Sequence, residues 1–117
     1  LATVGPGARP HLVPVTFALA ADTVVSAVDA KPKSTRRLRR LANIEANPAV
    51  CLLADHYSDD WDTLWWVRAD GHAAVHATAP ARVAELLADK YRQYREQPPE
   101  GPFVVVRVET WRGWSAR

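Results

Sequence analysis

The sequence predicts a mainly β domain of the α+β kind, with about seven antiparallel strands and two helices, closed as a barrel or curled sheet. Three observations carry this. Short segments rich in Val, Leu, Thr and Phe alternate their faces along most of the chain, consecutive strands are mostly neighbours in sequence, and only two stretches repeat apolar residues at helical spacing. A doubly wound parallel sheet would need a helix between nearly every pair of strands, and that alternation is missing. At 117 residues and 48% hydrophobic content, residues 1–117 read as one domain with a small packed core.

Leu1–Val4 reads as the first strand and Gly5-Pro6-Gly7 as a turn. The chain starts without a methionine on what is already a strand, which leaves room for an N-terminal helix upstream. Across His11–Leu19, Leu12, Pro14, Thr16 and Ala18 share one face, and Val13, Val15, Phe17 and Leu19 the other. Pro14 cannot donate to a ladder, so this strand is expected to lie at an edge there or to be bulged. Ala21-Asp22 turns the chain into a third strand, Thr23–Val28.

A helix is expected over about 35–46, with Ser34 or Thr35 as N-cap and Leu38, Leu41 and Ile44 on its buried stripe. It stops at Asn47-Pro48, because a residue before proline resists the helical conformation. Ala49–Asp55 is a nearly continuous apolar strand, followed by the polar loop His56–Asp62. Thr63–Ala69 and His72–Thr78 flank Asp70-Gly71, which reads as a hairpin turn. Pro80 opens a second helix to about Arg95, with Val83, Leu86, Leu87 and Tyr91 on its buried stripe. Gln97–Gly101 breaks the chain before a last strand, Phe103–Val108, and the segment Trp111-Arg112-Gly113-Trp114.

Charge gives the first functional clue. Six of the ten residues from Lys31 to Arg40 are basic (Lys31, Lys33, Arg36, Arg37, Arg39, Arg40) with no acid among them, and the rest of the chain is net −4. On the predicted helix, Arg36 and Arg37 fall in the first turn, where the macrodipole is already positive. That placement suits a docked anion carrying several charges, held by free amides and cationic side chains together. Two other readings stand beside it: a solvated basic face, and a nucleic-acid contact set, although no recognition motif accompanies the charges.

Several function classes are excluded or demoted. No GxGxxG, GxxxxGK[ST] or GxSxG occurs, so a nucleotide-triphosphate, Rossmann-type or nucleophile-elbow site is not expected. His72 and His76 share a strand face but do not have chelating spacing, and no metal site is expected. Cys51 is the single cysteine, in the apolar run Val50-Cys51-Leu52-Leu53, and reads as core. No apolar run approaches the roughly 18 residues a membrane span needs, and no signal segment is present; the simplest reading is a soluble, cytoplasmic protein. If the protein is an enzyme, a bound cofactor carries the chemistry.

Trp65 and Trp66 are adjacent on a predicted strand and must point to opposite faces, one inward and one toward a partner subunit or a bound ring. Trp111 and Trp114 invite the same division. Trp61, in the acidic loop, reads as an interface or lid residue, Tyr91 and Tyr94 as part of the second helix's stripe, and His11 as either a hydrogen-bonded strand residue or a donor to a ligand.

The pieces His11-Leu12-Val13-Pro14-Val15, Lys31-Pro32-Lys33, Asn43–Val50, Leu64-Trp65-Trp66-Val67-Arg68 and Trp111-Arg112-Gly113-Trp114, in this order, are similar to the split β-barrel, FMN-binding-like proteins. Among these, the chain resembles the pyridoxamine 5′-phosphate oxidase-like class of F420-dependent enzymes. The resemblance implies a homodimer with the cofactor in a groove between subunits, a ring lined by Val13, Pro14, Val15 and Thr16 with Val28 nearby, and a phosphate held by Lys31, Lys33, Arg36, Arg37 and Arg40, with Trp65 at the cofactor. It implies coenzyme F420 as hydride carrier for a small organic substrate, with no membrane or nucleic-acid partner and no catalytic side chain assigned. FMN with oxidase or reductase chemistry, or a non-catalytic carrier role, are the alternatives. Clustered cations suit the long polyanionic tail of F420 better than the single phosphate of FMN.

Overall fold

The computed structural model describes residues 1–28 and 38–117. Seven strands form one sheet: β1 (Ala2–Val4), β2 (Pro10–Leu12), β3 (Ala18–Ala20), β4 (Thr23–Ala27), β5 (Ala49–His56), β6 (Trp65–His76) and β7 (Phe103–Ser115). Three helices accompany them: α1 (Arg39–Ala46), α2 (Val83–Lys90) and α3 (Arg92–Glu96). The strand order is β2-β1-β5-β6-β7-β4-β3, antiparallel at every pair. Its two edge strands, β2 and β3, are consecutive in sequence and joined by residues 13–17 alone. So short a link can connect opposite edges only if the sheet curls round to bring them together, which gives the barrel and leaves its seam at this link.

The expected count of seven strands is met by a different division of the chain. His11–Leu19 is two strands, because Pro14 lacks the amide that a continuing ladder would need. Asp70-Gly71, in turn, is not a hairpin. β6 runs straight through it for 12 residues, paired on both sides. The glycine is there for space: a Cβ on Gly71 would lie 2.1 Å from the carbonyl oxygen of Arg107. The register on β7 skips Glu109 at this point, so the close approach belongs to a β-bulge. Asp70 is held by Arg68, two residues back on the same face (Nε to Oδ1 3.0 Å).

The helices also depart from expectation. α1 starts at Arg39 with extended Leu38 in the N-cap position, so its first turn carries Arg39 and Arg40; the expected caps Ser34 and Thr35 lie outside the described residues. The second helix starts later, after a left-handed Arg82, and breaks at Tyr91, whose backbone is extended (φ −114°, ψ 120°).

Alternation along the long strands sends side chains to two cores. Val24, Val104, Val106 and Val108 pack with Leu41 and Ile44 of α1, while Val25 and Phe103 pack with Val83, Leu87 and Tyr94 of α2 and α3. Leu87 and Phe103 are fully buried, and each such side chain contributes about 1.5–3 kcal/mol. Asn43 ties α1 to β1 by donating from Nδ2 to the Thr3 hydroxyl, 3.0 Å away in the interior. No helix among the described residues is long and apolar enough to cross a membrane.

Candidate functional site

The seam of the barrel opens into a groove of about 700 Å³. Its walls come from the link between the edge strands (Val13, Pro14, Val15, Phe17), from β5 (Leu52, Leu53, Ala54), from the inward-tilted face of β6 (Trp65, Val67, Ala69) and from Trp111. Among the described residues every lining residue is apolar, with no acid, base, amide or hydroxyl side chain. The size lies in the range of pockets that take a cofactor-sized ligand. A flat aromatic ring held by such walls would make its polar contacts with backbone groups of the link, where no ladder consumes them.

The link is fixed at both ends and spare in the middle. At one end, Leu1 and Val13 exchange two hydrogen bonds, with Val13 N donating to the Leu1 carbonyl (3.1 Å) and Leu1 N to the Val13 carbonyl (2.8 Å). At the other end, Ser26 Oγ donates to the Thr16 carbonyl (2.7 Å) and Phe17 N donates to the Tyr91 hydroxyl (3.1 Å). Thr16 Oγ1 and the Tyr94 hydroxyl share a further bond (3.0 Å), and Lys90 Nζ sits 3.6 Å from the centre of the Phe17 ring. The extended break at Tyr91 is what lets Tyr91 and Tyr94 address adjacent residues of the link, with their rings edge to face at 5.7 Å.

Of the expected ring contacts, Val13, Pro14, Val15 and Trp65 come together in the groove. Thr16 does not line it and is engaged with Tyr94, and Val28 packs against the α1 core at the end of β4. Arg40 is half-buried in the first turn of α1. Lys31, Lys33, Arg36 and Arg37 lie outside the described residues. Leu12, Leu19, Leu53 and Val67, not assigned to the site from the sequence, line the groove, and so does Trp111, which the sequence offered either as a buried residue or as a contact for a partner subunit or bound ring. The period of two on β6 could have found Val67, since it shares a face with Trp65.

The tryptophans divide as adjacency requires. Trp65 lies on the groove face of β6, Trp66 on the other, opposite Trp114 of β7. Trp111 pairs with Ala69 on the groove face, its indole donating to Asp22 (3.3 Å). Trp61 projects from a one-turn helix capped by Asp60 and is 77% exposed. His11 lies outside the groove, and its buried Nδ1 has no hydrogen-bond partner. His72 pairs with Glu109 at the bulge, and no cluster of metal-ligating side chains occurs among the described residues.

The profile of the pyridoxamine 5′-phosphate oxidase family matches residues 1–115, nearly the whole chain. This chain belongs to that family. No functionally curated protein matches the sequence. Among solved structures, a conserved hypothetical protein of Mycobacterium tuberculosis is similar, at 24% identity and a TM-score of 0.73 over 99% of this chain and 75% of that one. An FAD-binding protein of Mesorhizobium loti is similar at 18% identity and a TM-score of 0.62, covering 96% of this chain and 80% of its own. HutZ, a heme storage protein of Vibrio cholerae, is similar at 15% identity and a TM-score of 0.69, covering 97% and 82%. At these identities the likeness establishes the split-barrel fold; the family includes oxidoreductases, and the structural neighbours include a heme storage protein.

Proposed function

We propose that this member of the pyridoxamine 5′-phosphate oxidase family is an oxidoreductase that binds coenzyme F420 and serves hydride transfer with a small, flat, electrophilic organic substrate in the cytoplasm. The observation that carries the reading is the wholly apolar groove beside a backbone link that no ladder uses. When bound, the deazaflavin would supply or accept the hydride. The protein's own part is mechanical: Val13, Pro14 and Val15 would hold one ring face, Trp65 and Trp111 would exclude water, and Tyr91 and Tyr94 would keep the link in place. The apolar side chains that the described residues supply to the groove suit a reaction in which they move no proton.

The segment after β4 supplies the anionic end of the reading. Lys31, Lys33, Arg36, Arg37 and Arg40 are proposed to grip the phosphate and the glutamate tail. The groove's mouth is edged by exposed Leu12, Leu19, Leu53 and Val67, more apolar surface than a monomer normally leaves in water. A second copy of the chain is proposed to cover it, forming a homodimer with the cofactor between subunits.

FMN is the second reading, supported by the FAD-binding protein of the same fold. Parallel titration separates the two: F420 is expected to bind more tightly than FMN, and Lys33→Ala combined with Arg37→Ala to weaken F420 by about an order of magnitude or more, because each charge-assisted contact contributes about 1.5–3 kcal/mol. Unchanged affinity in the double variant would remove the polyanion assignment. Turnover of reduced F420 with quinones and enones distinguishes an enzyme from a carrier.

A further inference from the structure

The β4–β7 ladder ends at Thr23 opposite Arg107, yet β7 runs on to Ser115. Past that end β7 is laddered to β6 alone, and no described strand pairs with its outer edge. Trp111 sits on this overhang and forms part of the groove wall. Another part of the wall is Leu19, carried by the hairpin of β3 and β4. The ladder that joins the hairpin to β7 thus stops before it reaches Trp111.

One residue bridges the gap. Asp22, in the two-residue turn between β3 and β4, accepts from Val108 N on its carbonyl (2.8 Å) and from the Trp111 indole on its carboxylate (Nε1 to Oδ1 3.3 Å). The two contacts straddle the bulge at Glu109, where the course of β7 is set. The carboxylate has no cationic partner among the described residues, so the indole is what it holds. The turn that presents it is strained: Ala21 is left-handed (φ 52°), a conformation in which a Cβ crowds the following carbonyl. Strain kept in a short turn beside a ligand groove points to a role for what the turn holds. Trp65 is as exposed as Trp111, 41% in both, and lines the same groove with no indole bond among the described residues. One tryptophan is tethered and the other is not.

We propose that Asp22 is a positioning residue for the groove: it latches Trp111 across the mouth, so that a flat ring entering the seam meets an indole already in place. A tethered side chain has less freedom left to lose when the ring binds, and the latch therefore raises affinity. The inference rests on the groove being the ligand site proposed above. It adds a residue that touches no ligand and acts through Trp111.

Fluorescence titration of the full chain with 1-aminoanthracene, an uncharged flat probe, and separately with F420 tests it. Asp22→Ala is expected to weaken both about threefold to tenfold, and Asp22→Asn, whose amide oxygen still accepts from the indole, to stay within about twofold of the parent. Trp111→Phe should weaken binding by a similar factor, and Asp22→Ala should add nothing further in that background. A merely structural aspartate would give additive losses instead. In nitrogen-edited NMR of the ligand-free protein, the Trp111 indole proton, assigned by its disappearance in Trp111→Phe, should move in Asp22→Ala and hold its place in Asp22→Asn. Should F420 fail to bind the parent while 1-aminoanthracene follows this pattern, the latch stands and the cofactor reading falls. Should the parent bind F420 and Asp22→Ala leave both affinities unchanged, the latch falls and the cofactor reading stands. Additive losses, no rescue by asparagine, an unmoved indole proton in Asp22→Ala, or binding of neither probe would each overturn the proposal.

Discussion

Replacing Gly71 by alanine probes the joint that sets the site's geometry. The added Cβ would fall 2.1 Å from the Arg107 carbonyl oxygen, where real contacts stay beyond 3.0 Å, so β6 and β7 must separate locally by about 0.9 Å. Backbone is on both sides of the clash, and no flexible side chain can absorb it. Overpacking of this kind costs about 3 kcal/mol, which for a chain of this size lowers Tm by about 10 °C. Differential scanning calorimetry reads the shift. Gly113→Ala on the neighbouring strand β7 is the control: its Cβ would meet nothing closer than 3.4 Å, and its Tm should stay within about 2 °C of the parent. Because the bulge fixes how Trp111 faces Trp65, Gly71→Ala should also weaken ligand binding in the groove at temperatures where it remains folded. A Gly71→Ala melt matching that of Gly113→Ala would refute the bulge argument.

Tyr91→Phe leaves the Phe17 amide without its acceptor and should cost about 1–2 kcal/mol in urea unfolding, with a further loss in cofactor affinity; unchanged values of both would show that the tyrosines do not position the link. Asn43→Ala breaks the buried bond to Thr3 and is expected to cost about 1–3 kcal/mol, read from the same urea curves. Leu53→Glu puts a charge on the exposed apolar rim and should shift the chain to monomer in sedimentation velocity; a dimer that persists would place the interface elsewhere.

Much of this architecture was legible from local chemistry. β1, β4 and β5 announce themselves by apolar alternation, and the stop at Asn47-Pro48 is written in the proline. Asp70-Gly71 misled because a glycine signals unusual backbone or close approach alike, and only the strand lying across it shows which. Pro14 announced a broken ladder, but that the break becomes the barrel's seam depends on β2 and β3 being opposite edges, a non-local fact. Val13, Pro14, Val15 and Trp65 were expected at a cofactor ring through resemblance and lie together in the groove, whereas Leu19 and Leu53 join them only once the sheet has curled. The break at Tyr91 left no mark in the apolar periodicity, since it is stabilised by hydroxyl contacts to Thr16 and Phe17 some 75 residues away.

A crystal structure of the protein grown with F420 tests the central claim most directly. The deazaflavin ring should lie in the seam groove against Val13, Pro14 and Val15, with Trp65 and Trp111 at its edge and the tail running toward the segment from Lys31 to Arg40. A ring bound elsewhere, or a groove left empty at saturating F420, would contradict it.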